Sequence, residues 1–144
     1  MILPDLNLLV HAHNTQFPQH QQARAWWEER LRGPEGVALA WAVLLGFLRL
    51  MTNRHVLENP FAPAEALAII EEWLELPHFN IVEPGASHLE LLKRMVLTAG
   101  TAGNLTTDAH LAALAIERGL ILHTTDADFS RFAGLKWVNP LKAR

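Results

Sequence analysis

Asn104–Phe132 reads NLTTDAHLAALAIERGLILHTTDADFSRF, and the fold of the whole chain turns on how this stretch is understood. A carboxylate, Asp108, stands at the head of a helix whose apolar face is Leu111, Leu114 and Ala115. Thr106 or Thr107 is placed to cap that helix, leaving Asp108 in the first turn, where the helix dipole favours negative charge. Gly119 supplies the usual stop. The run LILHT from 120 to 124 then predicts a strand, and Asp126 and Asp128 follow it directly. If that strand is parallel to its neighbours, only the fold can bring the acids after it to the acid at the start of the preceding helix.

Working outward, the rest of the chain supplies the partners such a strand needs. MILP at the N-terminus reads as a short strand that must finish near Pro4, which has no N–H for a sheet. Asp5 therefore stands at a strand's carboxyl end, and Leu6, Leu9 and Val10 begin a helix. Further helices are predicted over 20–31, 42–53, 64–76 and 87–100, with strands over 37–41 and 80–84 and an edge strand near Trp137 and Val138. The 42–53 segment is apolar almost all round until Arg49, which predicts burial on most sides. In 64–76, Leu67, Ile70 and Leu74 form the predicted buried face, opposite Glu65, Glu71, Glu72 and Glu75. Ser87 and Glu90 have the spacing of a capping box. Strands alternating with helices predict one three-layer α/β/α domain over residues 1–144, with a central, mainly parallel sheet.

Composition narrows the function classes. With 144 residues and 50% hydrophobic content the chain can bury a sizeable core. No apolar stretch approaches the roughly 20 residues of a membrane span, and the N-terminus lacks the basic segment of a secretory signal. The expectation is a soluble cytoplasmic protein without a membrane partner. The absence of cysteine removes disulfides, thiolate nucleophiles and zinc-finger chemistry. A formal net charge of -3 argues against coating nucleic acid by bulk electrostatics. Any RNA contact is then a local patch, and the small basic groups are Arg49 with Arg54, Lys93 with Arg94, and Lys136, Lys142 and Arg144.

Strand ends and helix starts share one edge of a parallel sheet, so Asp5, Asp108, Asp126 and Asp128 fall on one predicted edge. Carboxylates gathered without an intervening Lys or Arg repel one another unless a cation is present. An oxygen-only donor set suits Mg2+ or Mn2+. Taken singly, each acid has an ordinary explanation as a helix cap, a dipole partner or a turn former; their common edge is what favours a site.

LPDLNLLV with Asp5, TTDAHLAALA with Asp108, and TTDADFSRF with Asp126 and Asp128 together resemble the PIN domain of VapC-type toxins, the ribonuclease half of VapBC toxin–antitoxin pairs. FLRL from 47 to 50 and the closing GLKWVNPL extend the resemblance over nearly the whole chain. It implies a Mg2+-dependent endoribonuclease, with Mn2+ as a substitute, in which Asp5, Asp108 and Asp126 hold the metal and activate water against an RNA phosphodiester. Asp128 is implied as an outer ligand or turn former, and Thr124 as a hydrogen-bonding partner of a carboxylate or of the water. A VapB-like antitoxin and a homodimer are implied partners, with 42–53 and 64–76 the expected surfaces. One departure stands out. PIN domains usually add a Glu near the start of the helix after the second strand, yet no acid occurs between Glu35 and Glu58, and Gly46 stands about where that Glu is expected. The alternative is therefore a catalytically weakened PIN-like module that binds RNA or an antitoxin. A phosphohydrolase with an aspartyl nucleophile would want a second acid two residues after Asp5, where Asn7 stands.

Other residues invite roles of their own. His11 and His13 form a pair spaced by two, which on a helix point apart and chelate poorly. His110, two residues after Asp108, is a candidate to approach RNA. Arg49 is a candidate phosphate contact or neutraliser of the acids. The tryptophans Trp26, Trp27, Trp41, Trp73 and Trp137 are expected mostly in the core or at a protein partner.

Overall fold

In the computed structural model, which describes residues 1–100 and 102–142, Pro4 ends the first strand as its missing N–H requires. That strand, β1 (Ile2–Pro4), lies at the centre of a five-stranded sheet with β2 (Val37–Ala40), β3 (Phe79–Val82), β4 (Ile121–His123) and β5 (Trp137–Val138). The order is β3-β2-β1-β4-β5 and every pairing is parallel. The strands β1, β2 and most of β4 are buried, which is why they read as continuous apolar runs. Arg144, from the C-terminal basic group, lies outside the described residues.

Six helices flank the sheet: α1 (Leu6–His13), α2 (His20–Arg32), α3 (Trp41–Met51), α4 (Pro63–Glu75), α5 (His88–Ala99) and α6 (Thr106–Arg118). This is the three-layer α/β/α arrangement. Helix α1 packs on α2 and α3, α3 packs on α4, and α5 pairs with α6. Trp27, Phe47, Trp73 and Phe79 interlock in this core, with Trp27 and Trp73 edge-on at 5.3 Å and Phe47 and Trp73 at 4.9 Å. His13 belongs to the same cluster, edge-on to Phe47, and its pKa is lowered to about 4, chiefly because burial penalises the charged ring. No helix among the described residues is long and apolar enough to cross a membrane.

Several local expectations change. Trp41 leaves the predicted 37–41 strand to open α3, and it is 49% exposed, while Leu45 one turn on is 59% exposed. An apolar circumference thus does not mean burial on most sides: Val43, Leu44, Phe47 and Met51 face the core, and the Trp41–Leu45–Arg49 stripe faces out. In α4 the buried residues are Ala66 and Trp73, with Leu67 and Leu74 on the outside, because bulky Trp73 fixes which face turns inward. Ser87 makes no side-chain cap to α5. Thr106 is the first residue of α6 rather than its cap, and its hydroxyl donates back to the Gly103 carbonyl at 2.8 Å. In α4 the residue three past the cap, Glu65, accepts from the Ala62 N–H at 3.0 Å.

Gly46 lies on the buried face of α3, and a Cβ there would stand 2.5 Å from Cδ2 of Leu6. The missing side chain leaves the space that the Leu6 side chain of α1 occupies against α3. Helix propensity favours Ala over Gly by up to about 1 kcal/mol, whereas forcing a methyl into a filled contact costs about 1–3 kcal/mol. Gly46→Ala is therefore expected to destabilise the wild-type background by about 1–2 kcal/mol and to be neutral or stabilising in a Leu6→Ala background. Urea unfolding of the four members of that double-mutant cycle measures the coupling; additive effects would show that Leu6 does not set the clearance.

Candidate active site

Strand order reverses beside β1, since the chain first builds β2 and β3 on one side of it and then β4 and β5 on the other. In open parallel sheets such a reversal leaves a crevice outside the strands' carboxyl ends. Asp5 follows β1 and Thr124, Thr125 and Asp126 follow β4, so the register Pro4↔His123 delivers both segments to this crevice. The Asp5 N–H closes the ladder onto the His123 carbonyl at 2.9 Å.

The Asp5 carboxylate is 8% exposed and both of its oxygens are engaged. Oδ1 accepts from the Leu6 N–H at 2.7 Å, capping α1, and Oδ2 accepts from the hydroxyl of fully buried Thr124 at 2.7 Å. The Thr124 oxygen in turn accepts from the Asp126 N–H at 3.0 Å, and the Asp126 carboxylate accepts from the Asp128 N–H at 2.8 Å. One chain of hydrogen bonds thus runs from β1 through Thr124 into the turn that carries the later acids. Asn7 adds a second tie, donating from Nδ2 to Thr125 Oγ1 at 2.8 Å.

Electrostatics bring Asp108 into the same set. Its pKa is raised to about 6, first by burial and then by the negative charges of Asp5, Asp126 and Asp128. Burial also raises Asp5; the Thr124 and Leu6 hydrogen bonds oppose that rise, and the charge of Asp126 adds to it. No Lys, Arg or His forms an ion pair with these acids among the described residues. The four carboxylates therefore share an uncompensated negative potential.

The donor set fits a hard divalent ion on chemistry, since it consists of oxygens alone and each ionised acid destabilises the others. It is not a closed cage: among the described residues no three His, Asp or Glu side chains stand close enough to enclose a metal unaided. Mg2+ needs no such cage, because it binds through one or two carboxylates and keeps several waters. Asp5, Asp108 and Asp126 are the side chains that would hold it. Asp128 is exposed and its N–H closes the turn onto Asp126, so its structural part is the turn former's.

Two further sequence candidates make no bond to these acids among the described residues. The His110 ring shares a 2.9 Å hydrogen bond with His88, and His88 lies 3.7 Å from Glu117, whose carboxylate accepts from the Gly85 and Ser87 N–H groups. This network ties α6 to the β3–α5 connection. Arg49 is exposed on the outer stripe of α3, and no hydrogen bond or ion pair joins it to the acids. Asn7 and Thr125 were not anticipated as site residues; a polar side chain two residues after Asp5, inside an otherwise apolar helix start, was the available signal.

The PIN domain family profile matches residues 2–135. The chain is a PIN domain of the VapC type. It is 44% identical over 142 residues to Ribonuclease VapC33 of Mycobacterium tuberculosis, covering 99% of each chain, and 37% identical over 140 residues to Ribonuclease VapC37 of the same species, covering 97% of each. Its fold superimposes on VapBC-1 of nontypeable Haemophilus influenzae with a TM-score of 0.69 at 15% identity, over 99% of this chain and 100% of that one. VapC20 of M. tuberculosis, described as a sarcin–ricin loop cleaving toxin, gives 0.67 at 19% identity, over 94% and 99%. At such identities these structures speak to the fold alone.

Thr124→Val keeps the side chain's shape but leaves Asp5 Oδ2 buried without its donor. A buried acceptor stripped of its partner costs about 1–3 kcal/mol. Chemical denaturation at neutral pH should show a loss of that size for Thr124→Val and little for Thr124→Ser. A valine variant as stable as wild type would remove Thr124 from its bridging role.

Proposed function

We propose that this chain is a divalent-metal-dependent endoribonuclease, working in the cytoplasm as the toxin of a toxin–antitoxin pair. The observation that carries the reading is the joining of Asp5, Asp108, Asp126 and Asp128 at the switch-point crevice without a counter-cation. The ribonuclease names of relatives up to 44% identical supply the substrate class. A bound Mg2+ or Mn2+ would polarise a phosphate oxygen and lower the pKa of a bound water. The protein's part is orientation. Thr124 and the Leu6 N–H fix both Asp5 oxygens, and the Thr124 oxygen anchors the backbone of Asp126. Asp108 is half-buried with a pKa of about 6, so its carboxylate can take up a proton near neutral pH.

Partners follow from the same reading. VapBC complexes among the fold neighbours point to a VapB-like antitoxin. A groove of about 580 Å³ between α1, α2 and α4, walled by Phe61, Ile69 and Trp73 and edged by Arg24, Arg32 and Glu72, suits a mixed apolar and charged antitoxin segment. Outward Trp41 and Leu45 on α3 and Leu67 and Leu74 on α4 agree with the two helices assigned to partners, and α5 adds Leu89 and Leu97 at 77% and 68% exposure. Such apolar exposure suits a second copy of the chain. One observation favours the weaker-catalyst reading: Leu6 fills the space beside Gly46, so no acid extends the set from α3.

Asp5→Asn and Asp108→Asn should each abolish Mg2+-dependent cleavage of RNA while remaining folded; cleavage equal to wild type would refute the assignment. A second readout is independent of turnover. Asp108 binds its proton more tightly folded, at about 6, than its ordinary value of 3.8, so its ionisation costs stability. That cost is absent below about 3.8 and complete above about 6. Without metal, Asp108→Asn should therefore raise Tm at pH 7.5 and lose the advantage by pH 4. Mg2+ should raise the wild-type Tm and leave the variant nearly unmoved; an equal metal response in both would exclude Asp108 as a ligand.

A further inference from the structure

Beside the acids lies a cavity of about 350 Å³, with Asp5 and Asp126 on one side and Asn7, His11, Phe17, Leu50 and Val56 around the rest. We propose that it is a nucleobase subsite, receiving the base next to the scissile phosphodiester; this rests on the ribonuclease reading of the acid set. Three features select that occupant. The volume is at the lower end for ligand pockets, which suits one planar ring system and not an extended peptide. The walls are mainly apolar, and the only acidic groups are the two that would face the sugar–phosphate backbone through a cation, so an anionic ligand is repelled and an uncharged base is not. Phe17 and His11 form an aromatic wall, their rings 4.9 Å apart and inclined at 37°, and burial lowers the pKa of His11.

Polar recognition has a source as well. Asn7 Nδ2 is committed to Thr125, while Asn7 Oδ1 and His11 Nδ1 are buried without a partner among the described residues. A base edge offering an amino group would supply what Asn7 lacks after a small side-chain adjustment. Stacking on an aromatic side chain is sequence-tolerant and contributes about tenfold or more in affinity per base. Selectivity would then come from the Asn7 edge, and affinity from Phe17. The subsite joins α1, the α1–α2 connection, the end of α3 and the segment after it, beside the acid crevice.

The test uses RNA hairpins with a randomised loop, cut by the protein in Mg2+ and sequenced at the new ends. Wild type should show a base preference at one position flanking the cut. Phe17→Ala, which opens the wall, and Val56→Trp, which fills the mouth from a 40% exposed position, should flatten that preference about tenfold. Both variants retaining the wild-type preference overturns the subsite and leaves the ribonuclease reading intact. Should Val56→Trp keep the preference but lose inhibition by the antitoxin, the cavity belongs to the protein partner and the proposal is wrong. If wild type cuts nothing, the ribonuclease reading fails separately. The subsite is then judged by quenching of 2-aminopurine placed in the same loops. Quenching that is absent in wild type, or that survives Val56→Trp, overturns it.

Discussion

The bond from the Thr124 hydroxyl to Asp5 Oδ2 holds together what the rest of the site depends on. A carboxylate 8% exposed carries a desolvation penalty that only hydrogen bonds or a cation can offset. Thr124 and the Leu6 N–H provide two such bonds, one across the β1–β4 seam and one into the first turn of α1. The one carboxylate, through its two oxygens, thus starts a helix and locks two strand ends. Pro4 ends β1 directly before Asp5, whose N–H still reaches the His123 carbonyl.

Rigidity at Asp5 contrasts with latitude at Asp108. Asp108 comes from a helix that begins after a 3-10 turn at Gly103–Leu105, is half-buried, and feels the other acids through space without a hydrogen bond to any of them. A set in which Asp5 and Asp126 are held by hydrogen bonds and Asp108 is bonded to none of the other acids suits an ion that keeps part of its water. The glycine at 46 tightens this economy. Had α3 offered a further acid on that face, it would have met Leu6, the residue whose N–H caps onto Asp5. The Leu6 contact with α3 and the smaller charge of the cluster therefore meet at this one position.

Apolar surface is distributed less simply than the core requires. Val43, Phe47 and Trp73 satisfy the packing of α3 and α4, yet Trp41, Leu45, Leu67 and Leu74 remain outside, joined by Leu89 and Leu97 on α5. Exposed leucines scattered singly need no explanation, but Trp41 with Leu45, Leu67 with Leu74, and Leu89 with Leu97 are spaced so that each pair shares a helix face. They form stripes, and stripes are what a partner surface can cover.

That distribution also marks how far the amino-acid sequence could be read. The acids were legible because each stood at a chemically marked point: after a strand closed by Pro4, in the first turn of a helix stopped by Gly119, and in the turn after LILHT. Element order was legible for the same reason, and the boundaries agree within two residues. Which apolar face turns inward was not, because α3 and α4 are apolar on two sides and hydropathy does not rank them; the shape of Trp73 against Trp27 and Phe47 decides it. Side-chain partners were harder still. Ser87 and Thr106 have the composition of caps, but the Ser87 side chain makes no cap bond, and the 3-10 turn at Gly103–Leu105 leads directly into α6, so that Thr106 is its first residue and bonds back to Gly103. His110 is sequence-adjacent to Asp108 and yet turns to His88, since residues two apart on a helix face different ways. Asn7 and Thr125, like Asp5 and Thr124, meet only because β1 and β4 are neighbours, a pairing that spans most of the chain and that local periodicity does not encode.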